Sequence, residues 1–193
     1  MFSADQFYRI SGTDRSIGLA ELAGKQPELR IRIEHTETVS GQTWPNGCQI
    51  CEAEVDPETG VAHIARLAAI DDIGRVMNPL MAEGQVHGGI AQGLGQAFIE
   101  QSVYDETGQL LTGSFMDYAM PHADLIPELE TGFDQSVPSA LNPLGAKGVG
   151  EAGCHGAMPA AVNAVLDALA ARGVKTLDMP LTAEKVWRSL QGA

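Results

Sequence analysis

The sequence has 193 residues, 44% hydrophobic and 19% charged, enough for a globular domain and too apolar for a disordered chain. Its 25 acidic residues outnumber 12 basic ones, and the net charge of −13 excludes nucleic acid and anionic membrane surfaces as natural partners. No apolar run reaches membrane-span length, MFSADQFYRISG is not a secretory signal, and three cysteines make no disulfide framework, so a reducing compartment, the cytoplasm, is expected.

Residues 1–28 read as irregular, with a turn at Ser11-Gly12 and a short amphipathic run from Leu19 to Ala23. Leu29, Ile31, Ile33 and His35 alternate with polar residues, the period of a half-exposed strand. Residues 48–55 and 61–70 flank a Pro and Gly turn and predict a β-hairpin. A loop follows at 71–79, then a helix over 81–103, a turn at 105–108, and strands at 110–118 and 129–133. Residues 136–156 read as a long Gly and Pro loop. Helices are predicted over 157–169, with Pro159 in the first turn, and over 181–190, with Thr182 as N-cap. The class is α+β, a mixed or antiparallel sheet packed with helices.

Two segments stand out. In Gly84 to Gln96, the residues Val86, Ile90, Leu94 and Phe98 make one apolar stripe, while Gln85, Gly89, Gln92 and Gln96 make a second stripe of amides around glycine. Each interior glycine costs a helix about 0.5–1 kcal/mol relative to Ala, so something must offset several of them. Close packing against another backbone is the plainer explanation. A ligand lying on the glycine face, read by carboxamides, is the other. The second segment, Lys147-Gly148-Val149-Gly150-Glu151-Ala152-Gly153, formally matches a dinucleotide fingerprint. That motif needs a strand before it and a helix opening from it. Pro138 and Pro143 precede it, and the predicted helix begins later, so the nicotinamide reading is rejected. Glu151 is then either a solvated loop residue or a general base beside a bulky cofactor.

Other features carry less. Cys48 and Cys51 read as buried free thiols, because residues three apart on a strand face opposite ways. His87 is read as structural or at the surface, and Arg75 as a salt-bridge partner rather than an anion site. Cys154-His155 looks like a reactive pair, but adjacent residues rarely aim at each other.

The blocks DDIGRVMNPLMAEGQVHGGIAQGLGQAF, LLTGSFMDYAMPHAD and NPLGAKGVGEAG, with PAAVNAVLDAL and LDMPLTAEKVW after them, resemble the C-terminal part of a known large subunit. It is the molybdenum-binding chain of the xanthine dehydrogenase and aldehyde oxidase family, closest in flavour to carbon monoxide dehydrogenase large chains. The resemblance implies a partial molybdopterin-binding domain over 29–193. It implies molybdenum on a molybdopterin, in bacteria often the cytosine dinucleotide form, held with help from Gln85, Gly88, Gly89, Gln92, Lys147, Gly148, Val149 and Gly150. Glu151 matches the catalytic glutamate, which takes the proton as a water-derived oxygen attacks an aldehyde or N-heterocycle carbon. Iron–sulfur clusters and FAD are implied on an iron–sulfur subunit and a flavin subunit. The family chain is several times longer, so the other cofactor-binding half is implied on another chain of an oligomer, unless the segment is a non-catalytic remnant or a partner-binding module without cofactor. The cysteine loop of carbon monoxide dehydrogenases lies outside the matching segment, so carbon monoxide is not implied as substrate. Cys154-His155 departs from the small and apolar residues expected there.

Overall fold

The computed structural model describes residues 7–26, 32, 34–38 and 41–192. The chain divides into two compact units, Met1–Thr38 and Val39–Ala193. In the first, β1 (Phe7–Arg9) pairs antiparallel with β2 (Ser16–Gly18), and α1 (Leu19–Gly24) follows. The segment expected to be irregular is therefore partly ordered: Ile10 and Thr13 exchange turn hydrogen bonds with Arg15 and each other, closing the hairpin. Most of the strand predicted around Leu29 and Ile33 lies outside the described residues, and 34–38 form no regular element.

The second unit is built on a three-stranded mixed sheet in the order β3-β4-β5. Strands β3 (Asn46–Val55) and β4 (Ala62–Asp72) form the predicted hairpin. Its tip closes on Asp56, whose carboxylate accepts from Glu58 N–H and Thr59 O–H, and on Gly60 at φ +75. Along β3 the inward residues are Gln49, Cys51, Ala53 and Val55. In β4 the alternation breaks: Ile64 and Leu67, three apart, are both buried. A β-bulge opposite Glu52/Ala53 absorbs the extra residue and restores the phase, so Leu67, Ala69 and Asp71 all face inward. Strand β5 (Glu128–Phe133) joins β4 in parallel, which makes the sheet mixed, one of the two forms expected. The long stretch between them allows a crossover connection, which a hairpin turn could not.

Helix α2 (Pro79–Phe98) opens on Asn78, whose side chain caps Met81 N–H, with Pro79 at its first position. The apolar stripe Val86, Ile90, Leu94 and Phe98 enters the core. Helix α3 (Ala152–Ala170) adds Ala157, Ala161, Val165 and Leu169. It begins five residues before the prediction, and Pro159 lies inside it, where proline removes a backbone bond and crowds the preceding turn. Packing against α2 and β3 overrides that local preference. Helix α4 (Ala183–Gln191) is capped by Thr182, which accepts from Lys185 N–H. It covers the hairpin tip: a Cβ on Gly60 would lie 2.2 Å from the Ala183 carbonyl and 2.6 Å from Trp187 N.

The predicted strand at 110–118 is absent. Only an isolated bridge joins Tyr104 to Leu110, and Ser114 and Asp117 close a turn through their side chains and backbone. Among the described residues no helix is long and apolar enough to cross a membrane.

Candidate functional site

The glycines of α2 divide into two sets. A Cβ on Gly89 would sit 2.9 Å from Cys154 N, one on Gly93 3.0 Å from the Cys154 carbonyl, and one on Gly153 2.3 Å from the Val86 carbonyl. Gly89 and Gly93 are therefore spent on backbone contact with the start of α3, the plainer of the two readings for that stripe. Gly84 and Gly88 meet nothing within 4 Å. They flank Gln85 and Gln92, whose carboxamides are exposed. The stripe predicted for one face thus separates: Gln85, Gln92 and Gln96 are exposed, as is Gly88 beside them, and Gly89 is buried.

The 134–151 loop comes to the same end of the helix pair. Asn142 ties it internally, donating to the Ala146 carbonyl at 2.9 Å and accepting from Ala146 N–H at 3.2 Å. Arg75 N–H donates to the Gly145 carbonyl and Lys147 N–H to the Ile73 carbonyl, so the loop is stitched to the strand end after β4. Gly145 has φ +72, and a Cβ on Gly74 would lie 2.2 Å from the Gly145 carbonyl. Neither position accepts an ordinary side chain without strain or collision.

Lys147 was expected to face a cofactor. Its Nζ instead donates to Asp72 Oδ2 at 2.6 Å, with both side chains largely shielded. That bond, with the Gly74 N–H on the same carboxyl, holds Asp72 below the usual carboxylate range. Gly148 N–H donates to Thr43 Oγ1 at 3.3 Å. Gly148 and Gly150 are exposed, and a Cβ on either would meet open space. Val149 packs partly against the core.

Glu151 is the N-cap residue of α3. Its carbonyl accepts from His155 N–H, while its carboxylate is exposed and makes no cap bond. The helix opens directly from the glycine loop, earlier than predicted. The dinucleotide reading still fails, because residues 134–147, which lead into the glycines, form no strand.

A groove of about 300 Å³ joins these parts, lined by Met81, Gln85, Ala146, Lys147, Val149 and Arg75 among others. The expected salt bridge of Arg75 does not form among the described residues. Its guanidinium is exposed at the groove, which sequence spacing gave no means to foresee.

The minor candidates resolve simply. Cys48 is exposed and Cys51 half-buried, so neither is the fully buried thiol expected. Burial pushes the Cys51 thiol up to about 11. Cys154 is also raised, by burial first and then by the Glu151 carboxylate, so it stays a thiol. His87 is half-buried with Nε2 3.1 Å from Thr131 Oγ1, a structural bond between α2 and β5.

The family model of the molybdopterin cofactor-binding domain matches residues 2–127. This chain belongs to that family. The chain is 43% identical over 170 residues to the carbon monoxide dehydrogenase large chain of Hydrogenophaga pseudoflava, covering 88% of this chain and 21% of that one. It is 40% identical over 187 residues to the nicotine 6-hydroxylase large subunit of Paenarthrobacter nicotinovorans, covering 95% and 23%. Among solved structures it superposes on a Cu,Mo-CO dehydrogenase with a TM-score of 0.73 at 40% identity, over 77% of this chain and 18% of that one. Quinoline 2-oxidoreductase from Pseudomonas putida 86 gives 0.69, also at 40% identity, over 72% and 18%. The chain thus spans under a quarter of the length of these relatives and shares its α+β fold with the matching part of the two solved structures.

Proposed function

We propose that this chain forms one wall of a molybdopterin site and carries the general base of a hydroxylase acting on an aldehyde or N-heterocycle. The observation behind this reading is the outward face of α2. Gln85, Gly88 and Gln92 are exposed there, and Gln85 shares a groove with the loop that ends in Glu151. Among the described residues nothing needs glycine at 84 or 88, so a cradle that a Cβ would fill fits a flat, polar-edged group. When bound, molybdopterin would supply the molybdenum redox centre that accepts two electrons, with iron–sulfur clusters and FAD on partner chains to carry them away.

The chain's own residues then have separable roles. Gln85 and Gln92 offer two N–H donors and one acceptor each to the edge of a heterocycle. Arg75 is placed to meet an anionic group, such as the phosphate of a pterin or its cytosine dinucleotide form. Gly148 and Gly150 let that group approach the backbone. Lys147 acts through Asp72, pinning the loop to β4 rather than touching the cofactor. Gly89 also acts indirectly, by letting the start of α3 and hence Glu151 approach α2. The exposed Glu151 carboxylate takes the proton from water as its oxygen attacks the electron-poor carbon.

Such a ligand needs enclosing from several sides, since small-molecule sites bury most of theirs. Here only one side is built, and Phe115, Met116, Leu80 and Trp44 stand 71–93% exposed. Pairing with the rest of a molybdenum subunit would cover them. The test is co-expression of the chain with and without a complementing large-subunit segment, reading molybdenum content, light scattering and dye-coupled turnover. The chain alone should associate and stay silent, and the pair should hold molybdenum and turn over. A pair that associates tightly yet holds no molybdenum would make this a partner-binding remnant. A clean monomer that hydroxylates unaided would also overturn the reading.

A further inference from the structure

Two buried oxygens lack a hydrogen-bond partner among the described residues: Oε1 of Gln49 and Oδ2 of Asp71. Gly47 pairs with Asp71 and Gln49 with Ala69, so the two side chains are diagonal neighbours on the inward face of the hairpin. Both line one pocket of about 260 Å³ with Ala152, His155 and Gly156 of α3. Glycine on each side makes room: a Cβ on Gly47 would lie 2.3 Å from Asp71 Oδ1, and one on Gly156 would lie 2.5 Å from the Gln49 amide carbon.

The Gln49 amide cannot be turned round. Its Nε2 donates to the Ala152 and Gly153 carbonyls, both at 3.2 Å. Exchanging N and O would set an oxygen against two carbonyls, so Oε1 must be the atom left needing a donor. A carboxylate at Asp71 offers none and would itself stay buried and unpaired, at 2% exposure. A single proton on Asp71, shared across this diagonal pair, would give both oxygens a partner.

We propose that Asp71 is a neutral carboxylic acid donating its proton to Gln49 Oε1, and that this pair is the positioning element that holds the first turn of α3, and with it Glu151, to the sheet. The chain of bonds runs from Asp71 to the Gln49 amide, then to the carbonyls of Ala152 and Gly153, the residues that follow Glu151. Desolvation raises Asp71 above the ordinary carboxylate range, in keeping with the neutral form. The neighbouring titratable groups are few. His155 of α3 lines the same pocket, Asp72 is paired with Lys147, and Asp134 meets Asp71 through a backbone N–H bond to its carbonyl. No cation faces Asp71 from β3, β4 or β5 among the described residues. The consequence for catalysis rests on the reading of Glu151 as the base, but the protonation state does not.

The full chain is therefore compared with Asp71→Asn and Asp71→Leu. Asn keeps a donor for Oε1 and Leu removes it. The parent should show a protonated-carboxyl stretch in the infrared that both variants lack. Its melting temperature should fall by about 2–4 °C or more relative to Asp71→Asn as the pH rises upward from the ordinary carboxylate range, about pH 4. The sign follows from a folded value raised above the unfolded one, so stability is full in acid and lost as pH rises. Amide exchange at residues 155–157 should be slow in the parent and Asn variant, and at least about tenfold faster in the Leu variant. Absence of the carboxyl band, or an Asn variant as loosened as the Leu variant, would overturn the proposal. So would stabilisation of the parent alone by added guanidinium, which would mean that an outside donor fills the pocket. In the assembled enzyme the Asn variant should keep turnover that the Leu variant loses. If the parent enzyme itself never turns over, the proposed function fails while the infrared and exchange results still judge Asp71.

Discussion

The two sides of helix α2 carry the same residue for opposite reasons. Gly89 and Gly93 face inward, and their missing side chains are replaced by the backbone of α3. Gly84 and Gly88 face outward and touch nothing. The first pair offsets its poor helix propensity by letting two helices approach. The second pair costs the helix about 0.5–1 kcal/mol each with no return from the described residues. A glycine that the fold does not use points to something beyond the fold.

The largest effect that should leave both faces untouched is Glu151→Gln. Turnover of the assembled enzyme should drop about 10²–10⁴-fold, because an amide of the same shape cannot take a proton. Molybdenum content should stay near the parent's, and turnover within threefold of the parent would remove Glu151 from the mechanism. Next comes Gly89→Leu. Propensity alone forecasts a gain of somewhat under about 1 kcal/mol, whereas collision with Cys154 N and Gly153 Cα forecasts a loss of about 1–3 kcal/mol or more. Urea denaturation decides between them, and a stabilised variant would mean the inner face is not close-packed.

Lys147→Met tests the loop that both faces rely on. It should lower the melting temperature and leave Asp72 without its cation. The Asp72 carboxyl is held low in the fold, so its contribution is full above the ordinary carboxylate range and drains away as the pH falls through the depressed value. Melting curves in acid should show that slope for the parent and much less of it for the variant. The smallest effect is that of Gly88→Ala, which should raise the stability of the chain by about 0.5–1 kcal/mol. The same change should lower molybdenum content in the assembled enzyme. If both stability and loading rise, the outward face is merely solvated.

Much of this was legible in the residues. The hairpin, α2 and the Thr182 cap follow from alternation, an apolar stripe and a capping hydroxyl, all local signals. The early start of α3 was hidden, because Gly153, Gly156 and Pro159 all argue against helix and only contact with Val86 and Gln49 explains them. The engagement of Lys147 by Asp72 was equally invisible, since the partners are distant in sequence and meet only when β4 and the loop are brought side by side. Glutamines and glycines of one stripe could not be sorted into inner and outer sets until α3 was in place. The bulge in β4 left a trace, two buried apolar residues three apart, but that trace fits a helix as well as an interrupted strand.

The contact of α4 with the hairpin tip has a bearing on biosynthesis. During translation the β3–β4 turn emerges long before Ala183 and Trp187, the residues that close over Gly60. Until those residues leave the ribosome the tip stays uncovered, and the core position that Val186 fills in the finished fold stays empty. Folding of this unit is thus completed late, and a chaperone or a stalled ribosome acting before residue 183 would meet an open-ended hairpin.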